Sequence, residues 1–151
     1  MMKVEFLEKY LHEHIPLSKA MGVGVLEATL DGVKLFAPLS PNINHRDTVF
    51  GGSASSVAIL SAWSLLYLRL KNDNISSRIV IQRSTMNFEC PITDKFTASS
   101  VAPDPEAWSR FVTMLGRKNR ARIKVNSTLH CNNKKVGELE GEFVALDAQP
   151  A

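Results

Sequence analysis

From Thr48 to Leu68 the chain runs for 21 residues without a charge. That is about the length needed to cross a bilayer. Five serines and the Gly51-Gly52 pair interrupt the run, and no long basic flank anchors it. An apolar stretch of this kind predicts a helix hidden on every side, so the reading is a buried central helix from Phe50 to Leu70 and no membrane span. Everything else in the fold has to wrap around it.

The rest of the chain supplies strands for that purpose. With 151 residues, 44% of them hydrophobic and 22% charged, it can form one sizeable core and has no room for two catalytic domains. A single domain over residues 1–151 is expected. Val4, Leu7, Leu11 and Ile15 recur at helical spacing and stop before Pro16. Gly22 to Leu30 and Val33 to Leu39 read as strands joined by a tight turn at Asp31-Gly32, a dipeptide suited to positive φ. Beyond the central helix, Asn72-Asp73-Asn74 marks a break, and Arg78 to Phe88 and Lys95 to Ala102 read as strands. Pro103, Asp104 and Pro105 open a short helical or irregular piece. From Arg120 to Cys131 apolar and polar residues alternate, Asn132-Asn133 turns the chain, and Lys135 to Leu146 returns as a last strand.

Helix, hairpin, long helix and then four strands is not the alternation that builds a parallel nucleotide-binding sheet. The fold class predicted is α+β, with about six antiparallel strands curled round one helix. Such a sheet leaves strand edges and part of the helix uncovered, which predicts a homodimer, or a tetramer as a pair of dimers.

The formal charge of +3 is too small to demand nucleic acid as a partner, and exposed aromatics interleaved with basic residues, as base stacking needs, are lacking. Cys90 and Cys131 are 41 residues apart with no metal-like spacing, which disfavours a disulfide framework and a zinc site, and suggests two inert thiols in a reducing cytoplasm. Residues 1–14 carry Lys3, Glu5, Glu8, Lys9 and Glu13 and lack the apolar core of a signal peptide. His12 and His14 are expected at the surface. No phosphate loop, GxGxxG or HExxH is present, and Gly51-Gly52-Ser53-Ala54-Ser55 lacks the final glycine of a serine-hydrolase elbow.

The informative stretch is Asn42-Ile43-Asn44-His45-Arg46-Asp47-Thr48-Val49-Phe50-Gly51-Gly52-Ser53. It crowds polar residues against the start of the buried helix, whose first N–H groups lack partners within the helix and carry partial positive charge. Glycines there let a ligand carbonyl approach the backbone, as an oxyanion hole requires. A plainer alternative stands beside this one: the glycines serve tight helix packing and Asp47 or Thr48 caps the helix.

With Ala62-Trp63 following, this stretch resembles the YiiD C-terminal family of thioesterases, and the layout resembles the hotdog fold. The resemblance covers nearly the whole chain. It implies hydrolysis of an acyl thioester of coenzyme A or acyl carrier protein, bound where two subunits meet, with no metal and no cofactor beyond the coenzyme A or phosphopantetheine of the substrate. Gly51 and Gly52 would polarise the carbonyl. Asp47, the one acid between Gly32 and Asn72, is the first candidate for general base, and Asn42, Asn44 and His45 are candidates for orienting water or substrate. Thr48, Phe50 and Ser53 join the substrate-binding set. Arg117, Lys118, Arg120 and Arg122, with Lys124, are read either as a solvated face or as a contact for the cofactor's phosphates. Trp63 and Tyr67 are read as packing residues or as the lining of an acyl channel. The pattern departs from many hotdog thioesterases in having no acid partway along the central helix, and the hydratase signature Asp-x-Asn-Pro-x-His is missing. A binding module without hydrolysis is the alternative function.

Overall fold

The computed structural model describes residues 2–150. In chain order it contains α1 (Met2–His14), α2 (Pro16–Ala20), β1 (Gly24–Ala28), β2 (Gly32–Ala37), a 3-10 turn (Ser40–Asn42), α3 (Gly51–Asn72), β3 (Ile75–Phe88), β4 (Phe96–Val101), α4 (Pro105–Lys118), β5 (Arg120–Cys131) and β6 (Lys134–Pro150). The six strands form one antiparallel sheet in the order β1-β2-β4-β5-β6-β3. It curls around α3 in the hotdog arrangement.

Helix α3 is the core helix. Val57, Ala58, Ala62, Leu65 and Leu66 have no exposed surface, and they meet Leu35, Ala98, Leu129 and Leu139 from the sheet. Burying each such Leu or Val stabilises the fold by about 1.5–3 kcal/mol. The charge-free window is 61% buried inside the protomer, so its apolarity is accounted for by the sheet. It is not hidden all round, since Gly52 is exposed and Ile59, Trp63 and Tyr67 are half-buried. A chain of buried hydroxyls sets its height against the sheet. Ser61 Oγ donates to the carbonyls of Val33 and Ala98, Ser100 Oγ reaches Ser61 at 3.0 Å and Ser127 at 2.7 Å, and Ser127 Oγ donates to Ala58 O.

Several boundaries differ from expectation. The β1–β2 turn takes no positive φ at Asp31 or Gly32; Thr29 makes it instead, its Oγ1 accepting from the N–H groups of both. The first helix ends at His14, before Pro16 as expected, and Pro16 then takes the first position of a further short helix, α2, where proline is well placed. The short piece after Pro105 is a 14-residue amphipathic helix, α4, capped by Asp104 and buried along Trp108, Phe111 and Leu115. Asn132 and Asn133 both adopt positive φ, as the expected turn requires.

The two edges of the sheet are unlike. Edge strand β1 is short, carries an irregularity between Val25 and Glu27, and is guarded by α1: Glu8 Oε1 accepts from Val25 N at 2.8 Å and His12 Nε2 bonds Val23 O at 2.7 Å. His12 is thus a strut rather than a surface residue. The absence of a Cβ at Gly24 admits this approach, since one would lie 3.2 Å from that Glu8 oxygen and closer still to the Phe36 ring. Edge strand β3 is 14 residues long and no strand covers its outer side among the described residues.

Candidate functional site

The chain enters α3 through a loop tied at three points. Ile43 bridges Val49, Phe50 N donates to Asn42 O at 2.7 Å, and Val49 N donates to Ile92 O at 2.8 Å. The last bond joins the loop before α3 to the loop after β3, from Val49 to Ile92. Phe50 is the N-cap and makes no side-chain cap bond, so neither Asp47 nor Thr48 caps the helix. Ser53 and Ala54 N–H groups return to Phe50 O, while those of Gly51 and Gly52 have no hydrogen-bond partner among the described residues. These are the donors of partial positive charge that an oxyanion needs. A Cβ on Gly51 would sit 3.6 Å from Phe88, an ordinary contact, so tight packing does not explain that glycine; one on Gly52 would strike the Phe50 ring.

The expected polar residues divide into struts and free groups. Asn42 is buried and both its amide hydrogens are spent, on Met21 O and Pro38 O at 2.8 Å each. Asn44 ties its own turn: Nδ2 donates to Thr48 Oγ1, and Oδ1 accepts from Arg46 N and Thr48 N. Asn42 and Asn44 thus hold the loop through these bonds, while the buried Oδ1 of Asn42 has no hydrogen-bond partner among the described residues. His45 and Asp47 are exposed on the tip of that turn, Asp47 at φ 63. Ser53 is half-buried beside the glycines, and Phe50 is 57% exposed.

A cleft of about 380 Å³ opens at the head of α3, with Thr48 and Ala54 on one wall and Phe88, Glu89, Cys90 and Ile92 on the other. Asp47 is not among its lining residues. Glu89 is, and its carboxylate lies 3.3 Å from Lys135 Nζ, whose other partner is Glu138 at 3.0 Å. Glu138 first and Glu89 second hold Lys135 above the usual lysine range. Sequence spacing could not find Glu89 or Cys90, because the backbone bond from Val49 to Ile92 is what carries them to the helix start. Among the described residues no three of His, Cys, Asp and Glu come together.

The basic cluster does not share this end of the protomer. Strand register sets Phe88, Gly137 and Leu129 in one row and Arg78, Leu146 and Arg120 in another. Ten residues of strand separate Phe88 from Arg78, roughly 33 Å. Arg117 and Lys118 close α4 and so do not share a strand face with Arg120 and Arg122. Lys124 stands in register with Glu142, which Arg83 also pairs at 3.6 Å, whereas Arg120 and Arg122 stand opposite Leu146 and Val144. Glu142 makes its ion pair with Arg83, so Lys124 has only an acidic register neighbour, and Arg120 and Arg122 have not even that.

Comparison with known proteins agrees with this architecture. A structure of a protein of unknown function from Chlorobaculum tepidum TLS superposes with a TM-score of 0.89 at 28% identity, covering 95% of this chain and 93% of that one. A putative thioesterase from Shewanella oneidensis superposes at 0.85 with 26% identity, covering 96% and 98%. A protein from Pseudomonas aeruginosa called a probable thioesterase shares the fold at 0.82 with 17% identity, covering 96% and 95%. The family described as "Putative thioesterase (yiiD_Cterm)" matches residues 4–147, and with so nearly complete a match the chain belongs to that family of hotdog-fold thioesterases.

Proposed function

We propose that the protein hydrolyses acyl thioesters of coenzyme A or acyl carrier protein, as a homodimer joined through β3. The observation that carries the chemistry is the pair of unpartnered N–H groups of Gly51 and Gly52 at the head of α3, next in the chain to the Thr48–Ala54 wall of the cleft that Glu89 also lines, although the glycines themselves are not among its lining residues. Those amides draw charge onto the thioester oxygen as water adds to the carbonyl carbon. Glu89 accepts the water proton, the C–S bond breaks, and the proton passes to the departing thiolate to leave an acid and a free thiol. Asp47, on the exposed loop tip, is the second carboxylate to test.

The dimer reading rests on the difference between the two sheet edges. Strand β1 is bonded by α1 side chains, while β3 offers 14 residues of open backbone beside a half-buried apolar stripe of Ile59, Trp63, Ile79 and Ile81. Antiparallel pairing of β3 with its copy brings opposite ends of two protomers together. The open charges of Arg120 and Arg122 on one protomer then lie at the same end as the Gly51 amides of the other, which suits them to the phosphates of coenzyme A or an acidic carrier. A reducing, cytoplasmic setting agrees with the two unbonded thiols, Cys90 and Cys131.

Gly51→Pro tests the chemistry directly. Proline at the first helical position deletes one N–H while keeping the helix, and Phe50 at φ −59 and ψ 132 already has the backbone a residue before proline prefers. Thiol release from a panel of acyl thioesters falls by about 10²–10³ in kcat at unchanged melting temperature. An unchanged rate defeats the oxyanion role, and tight binding with no thiol release from the native protein favours the binding module.

A further inference from the structure

At the far end of α3 from the glycines lies a slot walled by stacked rings. Trp63 and Tyr67, one turn apart, stack with centroids 5.4 Å apart and planes 5° from parallel, and Tyr10 of α1 lies on Tyr67 at 4.5 Å and 20°. Trp63 is fixed by Nε1, which donates to Ile79 O at 3.0 Å. Beside the rings is a cavity of about 180 Å³, lined further by Leu70 and Ile75, with Lys71, Ser76 and Ser77 supplying polar groups. Aromatic faces left half-open on a cavity are a receptive surface for a flat apolar group.

Strand direction relates this slot to the glycines. Phe88 packs on Gly51, so β3 ends at the head of α3; Ile75 follows the turn after α3 and lines the slot, so β3 begins at its tail. An antiparallel pairing that uses the whole strand sets Phe88 of one protomer against the partner's Ile75. The slot of each protomer therefore faces the amides of the other.

We propose that this slot takes the acyl group of the thioester whose carbonyl is held by the partner's Gly51 and Gly52, and that it selects a short, flat acyl group such as benzoyl or phenylacetyl over a long alkyl chain. The proposal rests on the thioesterase and dimer readings above. An enclosed apolar cavity of about 150 Å³ takes benzene, so a slot of about 180 Å³ has the size for a single ring and its link to the carbonyl; an extended chain would have to leave the rings and run over Lys71, Ser76 and Ser77. Trp63, Tyr67 and Tyr10 are then specificity-determining residues contributed in trans.

Subunit mixing tests it. Gly51→Pro breaks the amide half of the site, and Tyr67→Ala breaks the slot half; Tyr10→Ala, on another element, replaces Tyr67→Ala if thermal melting shows that variant unfolded. The Gly51→Pro homodimer is expected to hydrolyse benzoyl-CoA about 10²–10³ more slowly than the native protein, and the Tyr67→Ala homodimer roughly tenfold to a hundredfold more slowly. After refolding together, half the dimers are mixed and each holds one intact site, so the rate returns to about a quarter of native. No recovery in a mixture shown to be dimeric overturns the trans slot, as does a monomeric native protein.

A second arm separates this from failure of the thioesterase reading and from an adenine-binding slot. In a Trp108→Phe background Trp63 is the one tryptophan left. Benzoyl-pantetheine, which has no nucleotide, quenches its fluorescence and is preferred to the dodecanoyl ester. Quenching without thiol release keeps the slot and defeats hydrolysis. Quenching by coenzyme A alone, with no aryl preference among pantetheine esters, overturns the proposal.

Discussion

Glu89 lines the cleft at the head of α3 and Asp47 does not, although Asp47 is the acid that stands close to the glycines in sequence. Glu89→Gln is expected to lower kcat by about a hundredfold with little change in KM, and Asp47→Asn to stay within about twofold, as judged from thiol release. The opposite ranking returns the base to Asp47. Tyr67 offers a pH test. Burial first, then the charge and hydrogen bond of the neighbouring Tyr10, push its phenol up to about 12 from 10.0. A raised folded value means that the neutral form is the one the fold favours. Its contribution to stability is complete below pH 10 and is lost as pH rises through about 12. Urea unfolding between pH 9 and 12 should therefore show a steeper alkaline decline for the native protein than for Tyr67→Phe; equal slopes would remove Tyr67 as the cause. The bonds that hold the loop were not legible from residue type, because amides of a kind that orders water donate here within the protein, Asn42 to Met21 O and Pro38 O and Asn44 to Thr48 Oγ1.

Among the elements, α3 and β5 follow most directly from pattern. A charge-free run needs a wrapped helix, and the alternation from Arg120 to Cys131 matches the observed burial of every second residue. Ser127 shows the limit of pattern. It sits on the buried face as alternation requires, but its hydroxyl donates to Ala58 O at 2.6 Å and meets Ser100, which no periodicity reports. Ser127→Ala should cost about 1–3 kcal/mol by urea unfolding, since buried groups on α3 and β4 lose their partner. A change within error would mean that the hydroxyl chain is dispensable. Helix α4 was readable further than its opening prolines suggested, because Trp108, Phe111 and Leu115 carry a helical stripe. The Thr29 turn was not, since Asp31-Gly32 invites a positive-φ turn that the Thr29 hydroxyl makes unnecessary.

For the molecule as a whole, the decisive feature is that one sheet edge is bonded by α1 and the other is, among the described residues, covered by no strand. If β3 pairs with its copy, Arg120 and Arg122 serve the partner's cleft. Replacing both with Gln should raise KM for coenzyme A esters by about threefold to tenfold and flatten the salt dependence of KM, while leaving pantetheine esters unaffected. Equal salt dependence before and after would leave these arginines a solubility role. Composition and periodicity by themselves determined that one apolar helix is wrapped by an antiparallel sheet, because covering most of a 21-residue run without charge leaves few other arrangements. They also located the glycines at the head of that helix, since N–H groups at a helix start are unpartnered wherever the helix begins. Only the tertiary structure decided which side chains share that end. The placements of Glu89, of the basic cluster ten strand residues away, and of the aromatic slot at the opposite pole follow from strand register and from the single backbone bond between Val49 and Ile92, which are long-range pairings that local spacing does not encode.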